Sequence, residues 1–380
     1  MFTEKQKPLL FAHIGDLHIT DAKQQNYKDF LSITAQIAAG FVDQLDFVFL
    51  PGDNADNGLV EQYRLIAPAL KMLDIPAYII TGDHDMEQGS LDNFYSTLKA
   101  PKLPFRKKIK GVNCLFLDVC GPGAGGPDFR FGSEQLQNLE EVLNECSSEN
   151  GPCAIFMHTY PDDLKDSAEK QQLLQLINNH KVALITMGHT HYNEISNNRN
   201  TIYTATRSTG QIEEGPVGYS ITSIDNGVIS WRFKLLEDPL PFVMITSPAD
   251  HRLYRTVNRI EGNEAVVRAT ILGQDAIKQV SCLLENGQIY SMSFDNERND
   301  WFTTIPLNNQ PTMRLSVEAV TVNGRPGRHT IEMATPLFNP AADGRDGSDE
   351  LTIGAWTENG ILGTQLGPNR NAKPPKKRES

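Results

Sequence analysis

From residue 8 to about residue 235, short apolar runs alternate with longer stretches that repeat apolar residues at helical spacing. The runs Leu9–Ile14, Phe47–Leu50, Ala77–Thr81, Val112–Val119, Ala154–His158 and Val182–Met187 have the length and composition of buried strands. The intervening patterns predict helices at Tyr27–Phe41, Val60–Leu73, Ser133–Cys146 and Ala168–Asn179. Ser133, followed by Glu134, Leu136 and Leu139, reads as a capped helix start. Apolar strands separated by amphipathic helices belong to sheets covered by other layers, so this region predicts an α/β body.

After Gly188 the pattern changes. Thr201–Ala205, Gly218–Ile224 and Val228–Leu236 read as consecutive strands that complete a layered α/β/β/α arrangement. Pro239 and Pro241 then mark a linker. Residues 242–335 carry strand-like runs only: Phe242–Ile245, Ala265–Leu272, Gln279–Leu284, Gln288–Phe294, Trp301–Ile305, Leu315–Val322 and His329–Met333. Asn286-Gly287 and Asn323-Gly324 have the composition of hairpin turns. So many short strands predict a small all-β sandwich of immunoglobulin or fibronectin type. The last segment is rich in Gly, Asp, Asn and Pro, with an apolar patch at Ile353–Trp356 and Ile361-Leu362 that is expected to dock on the body. Its basic end, Lys373–Arg378, is expected to be disordered. The expected organisation is 1–238, 239–338 and 339–380.

Charge and cysteine content narrow the function classes. The formal net charge of −12 disfavours nucleic acid as the main partner, because a duplex-binding surface must replace counterions with Lys and Arg. No apolar run approaches the roughly 20 residues that span a bilayer. Residues Met1–Pro8 and the short apolar run after them do not have the form of a secretory signal. Cys114, Cys120, Cys146, Cys153 and Cys282 form no CxxC pair, and several lie beside strand-like runs. They read as reduced thiols, with the cytoplasm as the expected location.

The chemistry lies at the ends of the predicted strands. Leu9–Ile14 leads to Asp16 and His18, Phe47–Leu50 to Asp53 and Asp56, and Ala77–Thr81 to Asp83, His84 and Asp85. Ala154–Met157 leads to His158, and Val182–Met187 to His189 and His191. In open α/β sheets the carboxyl ends of the strands form the functional rim. Mixed carboxylate and imidazole donors suit Mn, Fe, Zn or Co. Any one of these motifs is a weak signal, but their ordered conjunction is a strong one.

The ordered set D-x-H, G-D-x-x-D, G-D-H-D, a lone His and G-H-T-H resembles the calcineurin-like metallophosphoesterase family over residues 8 to about 235. The resemblance implies a four-layer α/β/β/α sandwich and a site for two divalent ions. Asp16, His18 and His191 would bind the first ion, Asp53 would bridge, and Asp83, His158 and His189 would bind the second. Ions about 4 Å apart acidify a bridging water and clamp the phosphoryl oxygens for in-line attack. His84 would protonate the leaving group, and Asp56 would set its tautomer. Asp85 reads as structural.

One position departs from the family pattern. The family has Asn where this chain has Asp83. Two divalent ions against Asp16, Asp53 and a bridging hydroxide leave one net positive charge, and Asp83 cancels it. A neutral site attracts a doubly charged monoester less strongly than a site of charge +1 would, and a singly charged diester loses less by the change, which favours phosphodiesters. Phosphomonoesters of small metabolites, and a metal-binding scaffold with weakened activity, are the alternatives.

Among the branches of the family, the chain is most similar to class III cyclic nucleotide phosphodiesterase-like proteins. Gly52–Gly58 lacks the arginine of protein phosphatases, and Asp56 stands where purple acid phosphatases have a tyrosine ligand. Cyclic nucleotides and glycerophosphodiesters both fit a small phosphoester substrate. Arg130, after the Gly121–Gly126 run, is a candidate phosphate or base contact, and Tyr160, Tyr192 and Arg207 also lie near the rim by sequence. The Gly121–Gly126 run lacks the Gly-Lys-Ser/Thr ending of a P-loop. The β-rich region carries no chemistry of its own and is expected to support a homodimer.

Overall fold

A computed structural model describes residues 6–41, 43–149, 151–340 and 351–363. Its first half contains β1 (Leu9–His13), α1 (Gln25–Gly40), β2 (Phe47–Leu50), α2 (Val60–Leu70), β3 (Ala77–Ile79) and α3 (Asp92–Leu98). There follow β4 (Phe105–Ile109), β5 (Val112–Phe116), α4 (Ser133–Ser148), β6 (Cys153–Phe156), α5 (Ser167–Asn179) and β7 (Leu184–Met187). The strands β8 (Glu194–Asn197), β9 (Ile202–Ala205), β10 (Gly218–Asp225) and β11 (Val228–Leu235) complete it.

These strands form two sheets, β11-β10-β1-β2-β3 and β4-β5-β6-β7-β9-β8. Alternate residues of each strand face different layers. Leu10 and Ala12 of β1 pack on Phe30, Ile33 and Ile37 of α1, whereas Leu9 and Phe11 face the other sheet. Between the sheets, Phe11, Phe47, Phe49, Phe116 and Phe156 stack at centroid distances of 4.5–6.3 Å. Each such buried ring contributes about 1.5–3 kcal/mol by leaving water. Leu136, Leu139 and Leu143 of α4 and Leu173, Leu176 and Ile177 of α5 cover the outer face of the second sheet. The order of layers is therefore helix, sheet, sheet, helix.

The second half holds β12 (Phe242–Ser247), β13 (Glu264–Leu272), β14 (Ile277–Leu284), β15 (Ile289–Ser291) and β16 (Ser293–Asp295). The remaining strands are β17 (Asp300–Pro306), β18 (Thr312–Thr321) and β19 (Pro326–Ala334). The sheets β12-β13-β17-β16 and β15-β14-β18-β19 are antiparallel throughout and share one apolar core. Buried Arg298 ties this unit to the first sheet, donating to Asp225 at 2.7 Å and Asp300 at 3.1 Å.

Several elements differ from the sequence reading. The strand expected at Gln288–Phe294 is two short strands in different sheets, because buried Met292 turns the chain inward and its N–H donates to the Val280 carbonyl. Ser133 is the first residue of α4 rather than its cap, and Gly132 holds the cap position with φ +78°. Edge strands β4 and β8 and helix α3 were not predicted, since their polar or short sequences carry no clear period. The patch at 353–362 does dock. Trp356 and Ile361 enter the core between the two large sheets, and the Ile353 N–H donates to the Ile195 carbonyl. Lys373–Arg378 lies outside the described residues.

Candidate metal centre

Each strand end turns sharply as it reaches the site, and the turns are unusual. His18, Asp53, His189 and His191 hold φ between 45° and 65°. A non-glycine residue there costs about 1–3 kcal/mol and persists only where its surroundings hold it. The adjacent chains also approach closely. A Cβ at Gly82 would stand 2.2 Å from Asp53 Oδ1, and one at Gly52 would stand 2.6 Å from His158 Nδ1. Glycine is required at both positions.

The turns bring the predicted side chains into three groups, one of them His18, Asp56 and His84, and the other two sharing Asp53. Asp53, Asp83, His158 and His189 form one, and His18, Asp53 and His191 form the other. His158 Nε2 lies 3.1 Å from Asp83 Oδ1 and 3.6 Å from Asp53 Oδ2. His189 Nδ1 is 3.3 Å from the same Asp83 oxygen. His18 Nε2 lies 3.0 Å from His191 Nε2 and 3.6 Å from Asp53 Oδ2. Asp16, fully buried, accepts the His189 N–H through Oδ1, while its Oδ2 has no hydrogen-bond partner.

This donor set fits divalent cations. His158 Nδ1 donates to the Pro51 carbonyl at 2.8 Å, which turns the lone pair of Nε2 toward the carboxylates. Two imidazole Nε2 atoms face each other at 3.0 Å, and the buried oxygen of Asp16 lacks a donor. The second is costly without a cation, and both are ordinary around one. Electrostatics agree. Burial alone would lower the His158 pKa, but Asp53, Asp83 and Asp16 hold it up at about 10. Burial and neighbouring carboxylates drive Asp53 upward.

His84 stands beside the two groups that share Asp53, its ring 4.5 Å from that of His18. Burial lowers its pKa, but the charge of Asp53, the Asp56 carbonyl, Asp83 and Glu87 outweigh that and raise it. Nδ1 bonds the Asp56 carbonyl oxygen at 2.7 Å, while the Asp56 carboxylate is 3.9 Å away. The expected side-chain pairing is thus replaced by a main-chain one, because the turn points the carboxylate at His18 instead. Asp85 is structural as expected, accepting from Tyr63 Oη and from the N–H groups of Gly82, Asn54 and Ala55.

The structure gives the proposed substrate contacts other work. Arg130 pairs with Glu169 at 3.0 Å and Asp166 at 3.3 Å, fastening its loop to the start of α5. Tyr160 stacks on Tyr203 at 6.4 Å. Tyr192 donates to Glu213. Arg207 is 1% exposed and donates to the carbonyls of Glu214, Pro216 and Gly360, clamping the docked C-terminal patch. Arg207→Ala should therefore destabilise the protein by about 3 kcal/mol, read as a fall in Tm. An unchanged Tm would return Arg207 to the rim.

Other rim residues escaped the sequence reading. Phe129 packs edge-on to His189 at 5.0 Å. Gln211 Nε2 lies 3.3 Å from Asp56 Oδ1, and Glu213 lies 3.6 Å from His191 Nδ1. A Cβ at Gly126 would come within 2.8 Å of Asp83 Oδ2, so the glycine run forms a lid against that carboxylate. Only the proximity of Gly121–Gly126 to a strand end hinted at this.

Comparison with known proteins agrees with the site. Residues 9–193 match the family described as calcineurin-like phosphoesterases. A probable cyclic nucleotide phosphodiesterase of Fibrobacter succinogenes is 30% identical over 207 residues, spanning 49% of this chain and 74% of that protein. A second protein of that description, from Xenorhabdus bovienii, is 24% identical over 47% of this chain and 77% of its own length. A probable glycerophosphodiester phosphodiesterase of Arcobacter nitrofigilis is 29% identical over 30% of this chain and 42% of its own. The chain belongs to the calcineurin-like phosphoesterase family. It is accordingly a phosphoric ester hydrolase of a family that uses divalent metal ions. No helix among the described residues is long and apolar enough to cross a membrane.

Proposed function

We propose that the protein is a binuclear metal-dependent phosphodiesterase acting on small substrates. The observation that carries this reading is the sharing of Asp53 between two ligand groups. His18 and His191, with the unpaired oxygen of Asp16, would hold one ion, and Asp83, His158 and His189 the other. Manganese, iron, zinc or cobalt all suit these donors. Such a pair of ions polarises phosphoryl oxygens and acidifies a water. His84 then keeps a proton ready for the departing alkoxide. Its Nδ1–H is held by the Asp56 carbonyl, and the surrounding negative charge favours the imidazolium.

Asp83 supports diesters over monoesters, since it removes the net positive charge that would attract a second phosphate charge. The rim supports the same reading. Arg130 and Arg207 are committed elsewhere, while Glu87 and Glu213 approach the histidines. Cyclic nucleotide-like and glycerophospho-type diesters both fit, in line with what the relatives are described as hydrolysing. Hydrolysis of bis-p-nitrophenyl phosphate should exceed that of p-nitrophenyl phosphate. Asp83→Asn should shift the ratio of kcat/KM values toward the monoester by about tenfold, about 1.4 kcal/mol in relative barrier height. Faster monoester turnover by the unaltered protein would remove the argument.

The regions 1–238 and 239–338 are proposed as separate domains, the second of immunoglobulin-like type and serving homodimer formation. All five cysteines are free and buried, which supports a reducing, cytoplasmic setting.

A further inference from the structure

Asp56 presents two different groups to two different histidines. Its main-chain carbonyl meets His84 Nδ1 at 2.7 Å. Its carboxylate Oδ1 lies 3.3 Å from His18 Nδ1 and 3.9 Å from His84 Nδ1. Glu87 Oε1 lies closer than that carboxylate to His84 Nδ1, at 3.4 Å. The main chain of Asp56 therefore bonds His84, while its side chain lies nearer His18, whose ring is 4.5 Å from that of His84.

His18 needs such a partner. Its Nε2 faces His191 Nε2 and Asp53 and is the nitrogen available to a cation. The ring proton must then sit on Nδ1, inside a residue that is only 2% exposed. A buried N–H requires an acceptor, and an anionic one makes the opposite nitrogen a stronger ligand. Asp56 Oδ1, 3.3 Å from Nδ1, is the carboxylate oxygen placed to serve as that acceptor. Gln211 Nε2 lies 3.2 Å from His18 Nδ1 and 3.3 Å from Asp56 Oδ1, and once Nδ1 carries its proton the amide can donate only to the carboxylate, which it then holds beside the ring.

Resting on the two-ion reading above, we infer that the Asp56 side chain and Gln211 are positioning residues for His18 and hence for one ion alone. Only the main chain of Asp56 orients the acid His84. The sequence pattern suggested the reverse, because Asp56 and His84 belong to neighbouring motifs while Gln211 lies 155 residues after Asp56.

The test uses the full chain stripped of metal and titrated calorimetrically with manganese. Asp56→Asn keeps the carbonyl and replaces the anionic acceptor, and should weaken one of the two binding steps about tenfold. Gln211→Ala, at an exposed position, should weaken the same step by a smaller factor and guards against misfolding of the first variant. At saturating manganese both variants should hydrolyse bis-p-nitrophenyl phosphate and glycerophosphocholine in the wild-type ratio. Unchanged binding with a loss confined to glycerophosphocholine, whose alkoxide needs a proton, would assign the carboxylate to His84 and overturn the inference. Unchanged binding in both variants with no such loss would overturn it too. Uptake of fewer than two ions by the wild-type chain would refute the two-ion reading itself, before any substitution is made.

Discussion

Asp53→Asn should reduce kcat/KM for bis-p-nitrophenyl phosphate by roughly a thousandfold, about 4 kcal/mol of transition-state stabilisation. Asp53 is the residue common to both ligand groups, so its loss weakens both halves of the site rather than one. Metal content measured after dialysis should fall below two ions per chain. Stability should move the opposite way in the metal-free protein. Burial and three neighbouring carboxylates, Asp83, Asp16 and Asp85, raise the Asp53 pKa even against the favourable His158. A carboxyl whose folded pKa lies above its unfolded value stabilises the fold at low pH and loses that contribution as pH rises. As pH rises above the ordinary carboxylate range Asp53 therefore opposes folding, and Asn, which can still accept the His84 main-chain N–H, relieves that cost. The metal-free variant should melt higher than the wild type, while the increment in Tm caused by manganese should shrink. A variant that keeps two ions and its turnover would show that Asp53 does not bridge.

The second large effect concerns His84. His84→Ala should cost about 10²–10⁴ in kcat for diesters that expel an alkoxide. For p-nitrophenyl esters the loss should be about tenfold or less, because that leaving group departs without a proton. Both ion-binding steps should persist, since His84 lies outside the two groups that share Asp53. Equal losses on both substrate types would make His84 a phosphate-binding residue instead of an acid. The two substitutions thus separate the ions from the proton, and metal content distinguishes them even if activity vanishes in both.

Strain at the site links these effects to the fold. Four metal-site residues sit in left-handed backbone conformations, and two glycines are pressed against carboxylate and imidazole atoms. Such turns need rigid support, which the aromatic layer between the sheets supplies from directly beneath. Phe49 packs at 4.9 Å on both His13 and Phe156, whose strands lead to Asp16 and His158 respectively.

Much of this was legible in the sequence for a simple physical reason. Strand periodicity, helix spacing and the chemistry of Asp and His are local properties. The α/β layering, the all-β character of residues 242–335 and the order of the ligand motifs follow from them. The strand at 288–294 was misread because alternation cannot show that Met292 carries the chain from one sheet to the other. Arg130 meets carboxylates and Arg207 backbone carbonyls, partners the sequence does not show because a guanidinium has the same signature whether it meets a phosphate, a carboxylate or a carbonyl.

The sequence by itself determined the donor types and their order, since a strand end followed by Asp or His brings that group to the sheet rim, and the resemblance of the ordered set to the metallophosphoesterase family carried the reaction class. Tertiary structure alone decided the partners. Arg207 went to the Gly360 carbonyl, Gln211 to Asp56, and the Asp56 carboxylate to His18. Each of those contacts joins residues distant in sequence or hangs on one turn's direction, and neither quantity is written in local pattern.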